Sequence, residues 1–293
     1  MTAMTDERVA VRYSELGPHR IAYSCAGDSG DPVLLVMGLT MRGDAWRHQI
    51  DDLAQHHRVA WFDHAGLGAS GPVRSRRLRM ADLAADAIGV LDSLGWERAH
   101  LVGLSMGGMI AQHIALDVPG RIATLSLLAT HSGGCQPVLP PREAIKLLLA
   151  STVARDSERR LEVLAKLLLG SKFRETDPVR AAQLVRADFS HPPAIRTQIA
   201  QLHAIARHHT RDRLQELADI PTLIVRPGMD LLIDPRHSDL LHTGIPGSRI
   251  EHFPDAGHAI TRECAPALND LLLEHFARVQ LQPTGSGVAN ETP

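Results

Sequence analysis

The sequence predicts an α/β fold: a mostly parallel central sheet flanked by helices, with an all-helical segment inserted into it. Two observations predict this class. Short continuous apolar runs, typical of strands buried on both faces, alternate with segments of helical spacing. From residue 137 to residue 214 the alternation stops and only helical patterns follow one another. Strands and helices that alternate in sequence favour parallel pairing with right-handed crossovers.

The predicted strands are a short pair near the start of the chain and a series of buried runs after it. The pair, Val9–Tyr13 and Arg20–Ala26, flanks a turn at Gly17-Pro18. Branched and other apolar residues dominate the later runs. These later strands are Val33–Val36, Val59–Phe62, Leu101–Val102, Ile122–Leu128, Pro221–Arg226 and Arg249–Phe253.

Helices are predicted where apolar residues recur every three or four positions. Met80–Leu94 is a clear example, and Gly95 provides its stop signal. Two helices of the inserted segment carry start signals: Ser157 as an N-cap, and Asp177-Pro178 as N-cap and first residue. The remaining predicted helices are Ala45–His56, Met109–Val118, Arg142–Val153, Ser157–Leu169, Pro178–Phe189, Ala194–His208, Arg236–His242 and Ala265–Val279.

These elements divide the chain into four parts. Residues 1–136 and 215–281 form a two-part α/β core, and residues 137–214 form a helical cap between them. Residues 282–293 are rich in Gly, Ser, Pro, Thr and Asn, a composition that predicts a disordered tail. We expect the cap to lie over the active edge of the sheet and to select the substrate.

Composition excludes several classes of partner. The 31 Lys and Arg residues nearly balance 33 Asp and Glu residues, without a basic block, so we expect no nucleic-acid partner. No apolar run approaches the roughly 20 residues that span a bilayer, so we expect no membrane insertion. Three cysteines without C-x-x-C spacing predict reduced thiols in a cytoplasmic protein. The sequence leaves a homodimer open.

A candidate nucleophile lies in the stretch Gly103-Leu104-Ser105-Met106-Gly107. The stretch follows a predicted strand and precedes a predicted helix, the context of a nucleophile elbow. In such an elbow a serine lies on a strained turn, so that its hydroxyl projects above the sheet edge. Side chains at positions 103 and 107 would collide with the neighbouring strand and helix, so glycine is needed at both. Ser105 is therefore the candidate nucleophile.

A serine hydroxyl needs a base that takes its proton, and seventeen histidines compete for that role. His258 is favoured because it lies in the loop directly after the last strand, at the sheet edge that carries the serine. The adjacent pairs His56-His57 and His208-His209 lie near predicted helix ends without ligand-like partners. We expect those pairs to be solvated.

The base must itself be oriented by an acid. Asp230 follows the strand Pro221–Arg226 after a short turn, and Asp234 is a second candidate four residues later. Asp230 is favoured because a short loop can hold it rigidly at the strand end. The resulting order along the chain is Ser, Asp, His.

Negative charge on a substrate oxygen needs preorganised donors, each worth roughly 3 kcal/mol. The backbone N–H of Met106 lies at a helix start, where the helix dipole favours an anion. The second donor is expected in the loop after Val33–Val36, where we favour the backbone N–H of Leu39, next to Gly38.

Five motifs follow one another along the chain. They are Leu34-Leu35-Val36-Met37-Gly38 with Trp46 after it, Asp63 with Gly66-x-Gly68-x-Ser70, His100 to Gly108, Leu223-Ile224-Val225 before Asp230, and Gly257-His258. With them the chain resembles the α/β-hydrolase superfamily over most of its length. Within the superfamily it is similar to the esterase/lactonase group that includes aclacinomycin methylesterases and 3-oxoadipate enol-lactonases. Two positions depart from the usual pattern. Met37 replaces a histidine before the oxyanion loop, and Ala65 replaces an arginine that joins loops by hydrogen bonds.

The resemblance implies a serine hydrolase that cleaves an ester or lactone through an acyl-Ser105 intermediate, without cofactor or metal. A serine at position 105 indicates acyl chemistry, since alkyl displacement would need a carboxylate there. The apolar cap helices predict a small, largely apolar substrate. Acyl transfer, perhydrolysis, carbon–carbon cleavage and a slow-turnover small-molecule receptor stay open as alternatives.

Overall fold

The computed structural model describes residues 10–134, 142–153, 156–189 and 192–279. Strands and helices alternate in the first of these ranges and again from residue 222, and helices lie between. The strands are β1 (Arg12–Ser14), β2 (Ile21–Ala26), β3 (Pro32–Val36), β4 (Arg58–Phe62), β5 (Ala99–Leu104), β6 (Ile122–Leu128), β7 (Thr222–Pro227) and β8 (Arg249–Phe253). The helices are α1 (Arg47–Leu53), α2 (Met80–Ser93), α3 (Met106–Asp117), α4 (Arg142–Val153), α5 (Ser157–Leu168), α6 (Ser171–Thr176), α7 (Pro178–Phe189), α8 (Ile195–Ala206), α9 (Arg236–Gly244), α10 (Ile260–Glu263) and α11 (Ala265–Phe276).

The strands of the described residues form one eight-stranded sheet in the order β1-β2-β4-β3-β5-β6-β7-β8. β2 pairs antiparallel with both β1 and β4, and all other pairings are parallel. β5 lies between β3 and β6 and is buried along its whole length. The expected mostly parallel sheet is confirmed, and the carboxyl ends of its parallel strands form one edge.

Both faces of the sheet are covered by helices. In β3, Leu34 and Val36 face the apolar core that α2 and α3 complete, whereas Val33 and Leu35 face the core shared with α1 and α11. Successive side chains of a strand point to opposite faces. A strand buried on both faces therefore reads as a continuous apolar run, which is the pattern seen in the sequence.

Helices α4–α8 fill the interval between β6 and β7. Residues of α5, α6 and α7 share a small apolar cluster of their own. α8 packs instead on the core of the sheet through Ala200 and Ala204. Gly133 and His209 form a β-bridge where the chain leaves the sheet and returns to it. We propose that these helices form the cap. The predicted boundary at residue 136 and the predicted tail 282–293 lie outside the described residues.

The helix starts of the cap follow simple capping chemistry. The predicted N-cap of α5 is wrong by one residue: Asp156, not Ser157, accepts hydrogen bonds from the N–H groups of Glu158 and Arg159. A carboxylate is favoured there by the helix dipole as well. At α7 the prediction is confirmed, because Asp177 accepts a 2.9 Å hydrogen bond from the N–H of Arg180, the third residue of that helix.

The apolar periodicity of the sequence does not predict the shortest helices. The helix predicted from residue 45 begins as a 3₁₀ turn, Gly43–Trp46, and continues as α1. A 3₁₀ helix, Arg211–Leu217, and the short helices α6 and α10 have too few turns to show a periodicity. Within the described ranges, none of the helices combines the length and apolar character needed to cross a bilayer.

Candidate active site

Ser105 lies at the sharp junction between β5 and α3. Its backbone has φ 56° and ψ −119°, a conformation that a non-glycine residue adopts only under constraint. Two hydrogen bonds supply the constraint: the Ser105 N–H donates to the Leu128 carbonyl at 2.9 Å, and the Thr130 hydroxyl donates to the Ser105 carbonyl at 2.7 Å. The strained turn of a nucleophile elbow is therefore present.

The glycines around the elbow leave room for its close packing. A Cβ on Gly107 would overlap the Val36 carbonyl oxygen, and one on Gly103 would lie 2.7 Å from the Gly108 Cα. Strand β3 and helix α3 thus exclude side chains at both positions, as the sequence predicts. Gly38 approaches from the opposite loop, where an added Cβ would lie 3.3 Å from the Ser105 Cβ.

Asp230 and His258 come together although 28 residues separate them in the chain. His258 Nδ1 lies 2.7 Å from Asp230 Oδ2, and both residues are buried. The other carboxylate oxygen, Oδ1, accepts hydrogen bonds from the N–H groups of Leu232 and Ile233 at 2.8 and 3.0 Å. Because the carboxylate accepts the Nδ1 proton, Nε2 is the nitrogen that can serve as a base.

Asp234, the alternative acid, lies in a different environment. Its carboxylate accepts hydrogen bonds from the backbone and guanidinium of Arg236, which lower its pKa. The geometry therefore favours Asp230 over Asp234 as the acid that orients His258, because only Asp230 is seen in contact with the His258 ring. The catalytic roles of Ser105, Asp230 and His258 stay predictions.

The two expected oxyanion donors lie on either side of Ser105. Met106 is the first residue of α3, where backbone N–H groups have no partner within the helix. Leu39 follows Gly38 in the loop packed against Ser105, and both line the cavity that contains the serine. Both residues are thus close to Ser105, and the role of their N–H groups as oxyanion donors stays a prediction.

The loop that carries Leu39 is held from two sides. The Thr40 N–H donates to Gln201 Oε1 at 2.9 Å, which connects the loop to α8 of the proposed cap. On the core side, His64 Nε2 lies 2.8 Å from the Met37 carbonyl oxygen, within hydrogen-bond distance. Met37, the first departure from the usual pattern, therefore contributes its backbone to this support and buries its side chain.

The second departure, Ala65 in place of an arginine, leaves a connected loop. Asp63 accepts hydrogen bonds from the N–H groups of Gly43 and Ala69 at 2.9 and 3.1 Å. Ser70 donates to the Asp63 carbonyl at 2.6 Å. Carboxylate and hydroxyl groups thus hold this loop in the absence of the guanidinium.

Ser105 and His258 line one cavity of about 190 Å³ between the sheet edge and the proposed cap. Helices α5 and α7 supply most of its opposite wall with aliphatic side chains. Its apolar lining consists of Leu39, Met41, Leu104, Leu164, Leu167, Leu168, Leu169, Leu184, Val185, Phe189, Leu232 and Ala259. A cavity of this kind, apolar with a few convergent polar groups, is typical of a small-molecule site.

Two charged residues of the cavity wall are missing from the sequence prediction. Arg262 of α10 and Asp188 of α7 both line the cavity, and Arg262 Nε lies 2.7 Å from Asp188 Oδ2. The only signal that the sequence contains for Arg262 is its position four residues after His258 in the chain. Asp188 has no such signal, because only the packing of the cap brings it there.

Glu263 joins the proposed cap to the loop of His258. Its Oε2 accepts a hydrogen bond from the Gly170 N–H at 2.9 Å, and its Oε1 accepts one from the Gly257 N–H at 3.0 Å. The Ala259 N–H donates to the Leu168 carbonyl at 2.9 Å in the same junction. Burial raises the pKa of Glu263 to about 7, although the two N–H groups oppose this shift.

One sequence expectation about histidines is wrong. His208 is buried rather than solvated, and its Nε2 lies 3.0 Å from the His131 carbonyl oxygen. His57 is half-buried, whereas His56 and His209 are exposed as expected. Among the residues that the structure describes, no group of three or more His, Cys, Asp or Glu side chains is arranged to hold a metal ion.

Comparison with known proteins agrees with this geometry. The family model described as the alpha/beta hydrolase fold matches residues 31–261. The chain belongs to the α/β-hydrolase fold family. The matched range contains the elbow, Asp230 and His258, and the resemblance inferred from the sequence motifs is confirmed.

Three relatives illustrate the range of similar proteins. A protein of Azorhizobium caulinodans named "Putative carbamate hydrolase RutD" is 30% identical over 264 residues, which cover 89% of this chain and 96% of that protein. The enol-lactonase of Burkholderia xenovorans LB400 has a TM-score of 0.76 at 23% identity, covering 91% and 100% of the two chains. A thermophilic esterase of Thermogutta terrifontis has a TM-score of 0.76 at 25% identity, covering 94% and 100%.

The junction at Glu263 generates a prediction about stability and pH. The folded protein keeps the Glu263 proton up to about pH 7, whereas the ordinary pKa of a glutamate side chain is 4.5. Between these pH values the unfolded chain holds fewer protons, so this residue's contribution to the free energy of unfolding falls as pH rises. The free energy of unfolding of wild type minus that of Glu263→Gln, measured by urea denaturation at each pH, should therefore fall as pH rises through this range.

Glu216→Gln is the matched control for this measurement. Glu216 is exposed, and its hydrogen bond with Arg213 lowers its pKa. Its contribution to the free energy of unfolding is lost only as pH falls below the ordinary pKa range of a glutamate. The difference in that free energy between wild type and Glu216→Gln should therefore stay level from about pH 5.5 to pH 7. A Glu263→Gln difference that is equally level, or that grows with pH, would contradict the account.

Proposed function

We propose that this protein is a serine hydrolase that cleaves a carboxylic ester or lactone of a small, largely apolar substrate. In this proposal Ser105 is the nucleophile, His258 is the general base and acid, and Asp230 orients His258. The N–H groups of Leu39 and Met106 bind the oxyanion. One observation carries the proposal: the 2.7 Å contact of the Asp230 carboxylate with His258 Nδ1, beside a cavity that Ser105 and His258 both line.

Acylation follows from the chemistry of these groups. Ser105 Oγ attacks the carbonyl carbon of the substrate while His258 Nε2 accepts the hydroxyl proton. Asp230 stabilises the resulting imidazolium and keeps the ring in the tautomer that presents Nε2. The tetrahedral intermediate collapses when the bond to the leaving oxygen breaks and His258 donates its proton to that oxygen. The product of this half-reaction is an acyl-Ser105 ester.

Deacylation repeats the same steps with water. His258 Nε2 takes a proton from the water, whose oxygen attacks the acyl carbon. The intermediate collapses to the carboxylic acid, and His258 returns the proton to Ser105 Oγ. In a lactone the alcohol and the acyl group belong to one molecule, so the released product is a hydroxy acid.

The backbone donors supply the electrostatic part of the rate enhancement. The carbonyl oxygen becomes an oxyanion in each tetrahedral intermediate, and a preorganised N–H donor stabilises it by roughly 3 kcal/mol. Met106 adds the dipole of α3, whose positive end lies at the same place. The support of the Leu39 loop by Gln201 and His64 keeps the second donor fixed before substrate binds.

The substrate class is inferred from the cavity and from the relatives. A cavity of about 190 Å³ with an aliphatic lining suits a short acyl chain or small ring. The relatives named above are a carbamate hydrolase, an enol-lactonase and an esterase, so their named substrates share a carbonyl carbon bonded to oxygen or nitrogen. Ester and lactone bonds are therefore the bonds to test first.

Replacing the nucleophile tests the proposal. Ser105→Ala should lower kcat/KM for p-nitrophenyl butyrate by at least about 10³-fold, because no acyl-enzyme can form. The release of p-nitrophenol is measured against Ser157→Ala, an exposed serine at the start of α5 that should keep wild-type activity. Equal rates in wild type and Ser105→Ala would remove Ser105 as nucleophile.

A second prediction separates the two candidate acids. Asp230→Asn should lower kcat by about 10³- to 10⁴-fold, because an amide no longer fixes the His258 tautomer. Asp234→Asn should change kcat by less than about tenfold, since its partner is Arg236 at the surface end of the loop. A larger loss in Asp234→Asn than in Asp230→Asn would reverse the assignment.

A further inference from the structure

The ion pair of Arg262 and Asp188 is an unusual feature of a largely apolar cavity. Arg262 is 2% exposed, and its Nε lies 2.7 Å from Asp188 Oδ2. The pair joins α10 of the core to α7 of the proposed cap. Removing two charges from water is costly, and apolar residues of similar volume often serve stability equally well. A structural role alone therefore does not account for this pair at the wall of the cavity.

The guanidinium has hydrogen-bonding capacity to spare. Its Nη1 makes a long contact of 3.4 Å with the Thr261 hydroxyl. Its Nη2 is buried and has no hydrogen-bond partner among the described residues. A buried donor without a partner is unfavourable by about 1–3 kcal/mol, and each such group in a native protein calls for an explanation. A substrate oxygen in the cavity would provide the missing acceptor.

The charges around the pair indicate which kind of oxygen fits. Asp188 already neutralises Arg262, and burial raises the pKa of Asp188 and lowers that of Arg262. Arg47 and Asp44 are the next charged groups that act on both residues, and they carry opposite charges. A carboxylate of the substrate would thus be a second anion beside one guanidinium, in a site of low dielectric. An uncharged carbonyl oxygen accepts the same hydrogen bond without that repulsion.

We propose that Arg262 is a specificity residue, whose guanidinium donates a hydrogen bond to an uncharged carbonyl oxygen in the acyl part of the substrate, with Asp188 as its counter-ion. The preferred substrates are then esters or lactones of oxo acids rather than of simple fatty acids or dicarboxylic acids. This inference rests on the proposed function, because it concerns the acyl group that Ser105 receives.

Three kinds of substrate of nearly equal shape test the inference: p-nitrophenyl hexanoate, its oxo analogues with the keto group moved along the chain, and the p-nitrophenyl half-ester of glutaric acid. At its best position the oxo ester should exceed the hexanoate in kcat/KM by at least about tenfold, through a hydrogen bond to a charged donor. The glutarate half-ester, which carries a carboxylate, should fall below the oxo ester by a similar factor. Equal kcat/KM for hexanoate and every oxo analogue would overturn the inference.

Variants of the pair separate recognition from folding. Arg262→Met alone leaves Asp188 buried without a counter-ion, so the informative variant is Arg262→Met combined with Asp188→Leu. In this double variant the ratio of oxo ester to hexanoate kcat/KM should fall to about one. Asp188→Asn should keep Arg262 as a donor but remove its counter-ion. The kcat/KM of the glutarate half-ester should then rise by at least about tenfold relative to that of the oxo ester. A purely structural role would change all three substrates by one factor and leave both ratios at their wild-type values.

Two controls complete the experiment. Arg186→Met removes an exposed guanidinium of the same cap helix, which pairs with Glu158 away from the cavity, and it should leave the ratios unchanged. Ser105→Ala is assayed with the plain hexanoate. The specificity inference alone fails if hexanoate hydrolysis depends on Ser105 but the oxo ester and hexanoate have equal kcat/KM, or the substrate ratios do not change in the variants. If hexanoate hydrolysis persists without Ser105, the proposed function fails.

Discussion

The 2.7 Å contact between the Asp230 carboxylate and His258 Nδ1 is the interaction on which the site depends. It joins the loop after β7 to the loop after β8, and it leaves His258 Nε2 as the ring nitrogen that can accept a proton. The sheet makes the contact possible, because parallel strands bring their carboxyl ends to one edge. Ser105 reaches the same edge from the central strand, held in a strained conformation by hydrogen bonds to β6 and to Thr130.

Hydrogen bonds and an ion pair connect the proposed cap to the loop of His258 and to α10. Glu263 accepts hydrogen bonds from one N–H of the His258 loop and one N–H of the cap segment, and Arg262 beside it pairs with a cap carboxylate. The segment from Ile260 to Glu263 therefore links the proposed cap to the sheet edge that carries His258. In the same way Gln201 of α8 holds the loop that carries the expected oxyanion donor. Under the proposed function, substitutions in these helices are expected to alter both substrate selection and catalysis, because both would depend on these connections.

The sequence predicts the parts of this structure that local chemistry specifies. Apolar runs identify the buried strands, and Ile122–Leu128 and Arg249–Phe253 match their predicted bounds. The elbow is predicted because its glycines are required by close backbone contacts. The N-cap of α5 is missed because Asp and Ser are both good caps and lie side by side. Asp188, Glu263 and the burial of His208 are missed because they depend on contacts between distant segments, which periodicity and spacing do not contain.

The most direct test of the account is to trap the covalent intermediate. Wild-type protein is mixed with p-nitrophenyl butyrate, quenched in acid within the first turnover, and digested for mass spectrometry. The account predicts one added butyryl group on the peptide that contains Ser105, and its loss on further incubation as water completes the reaction. A butyryl group on any other residue, or continued hydrolysis with no adduct at Ser105, would contradict it.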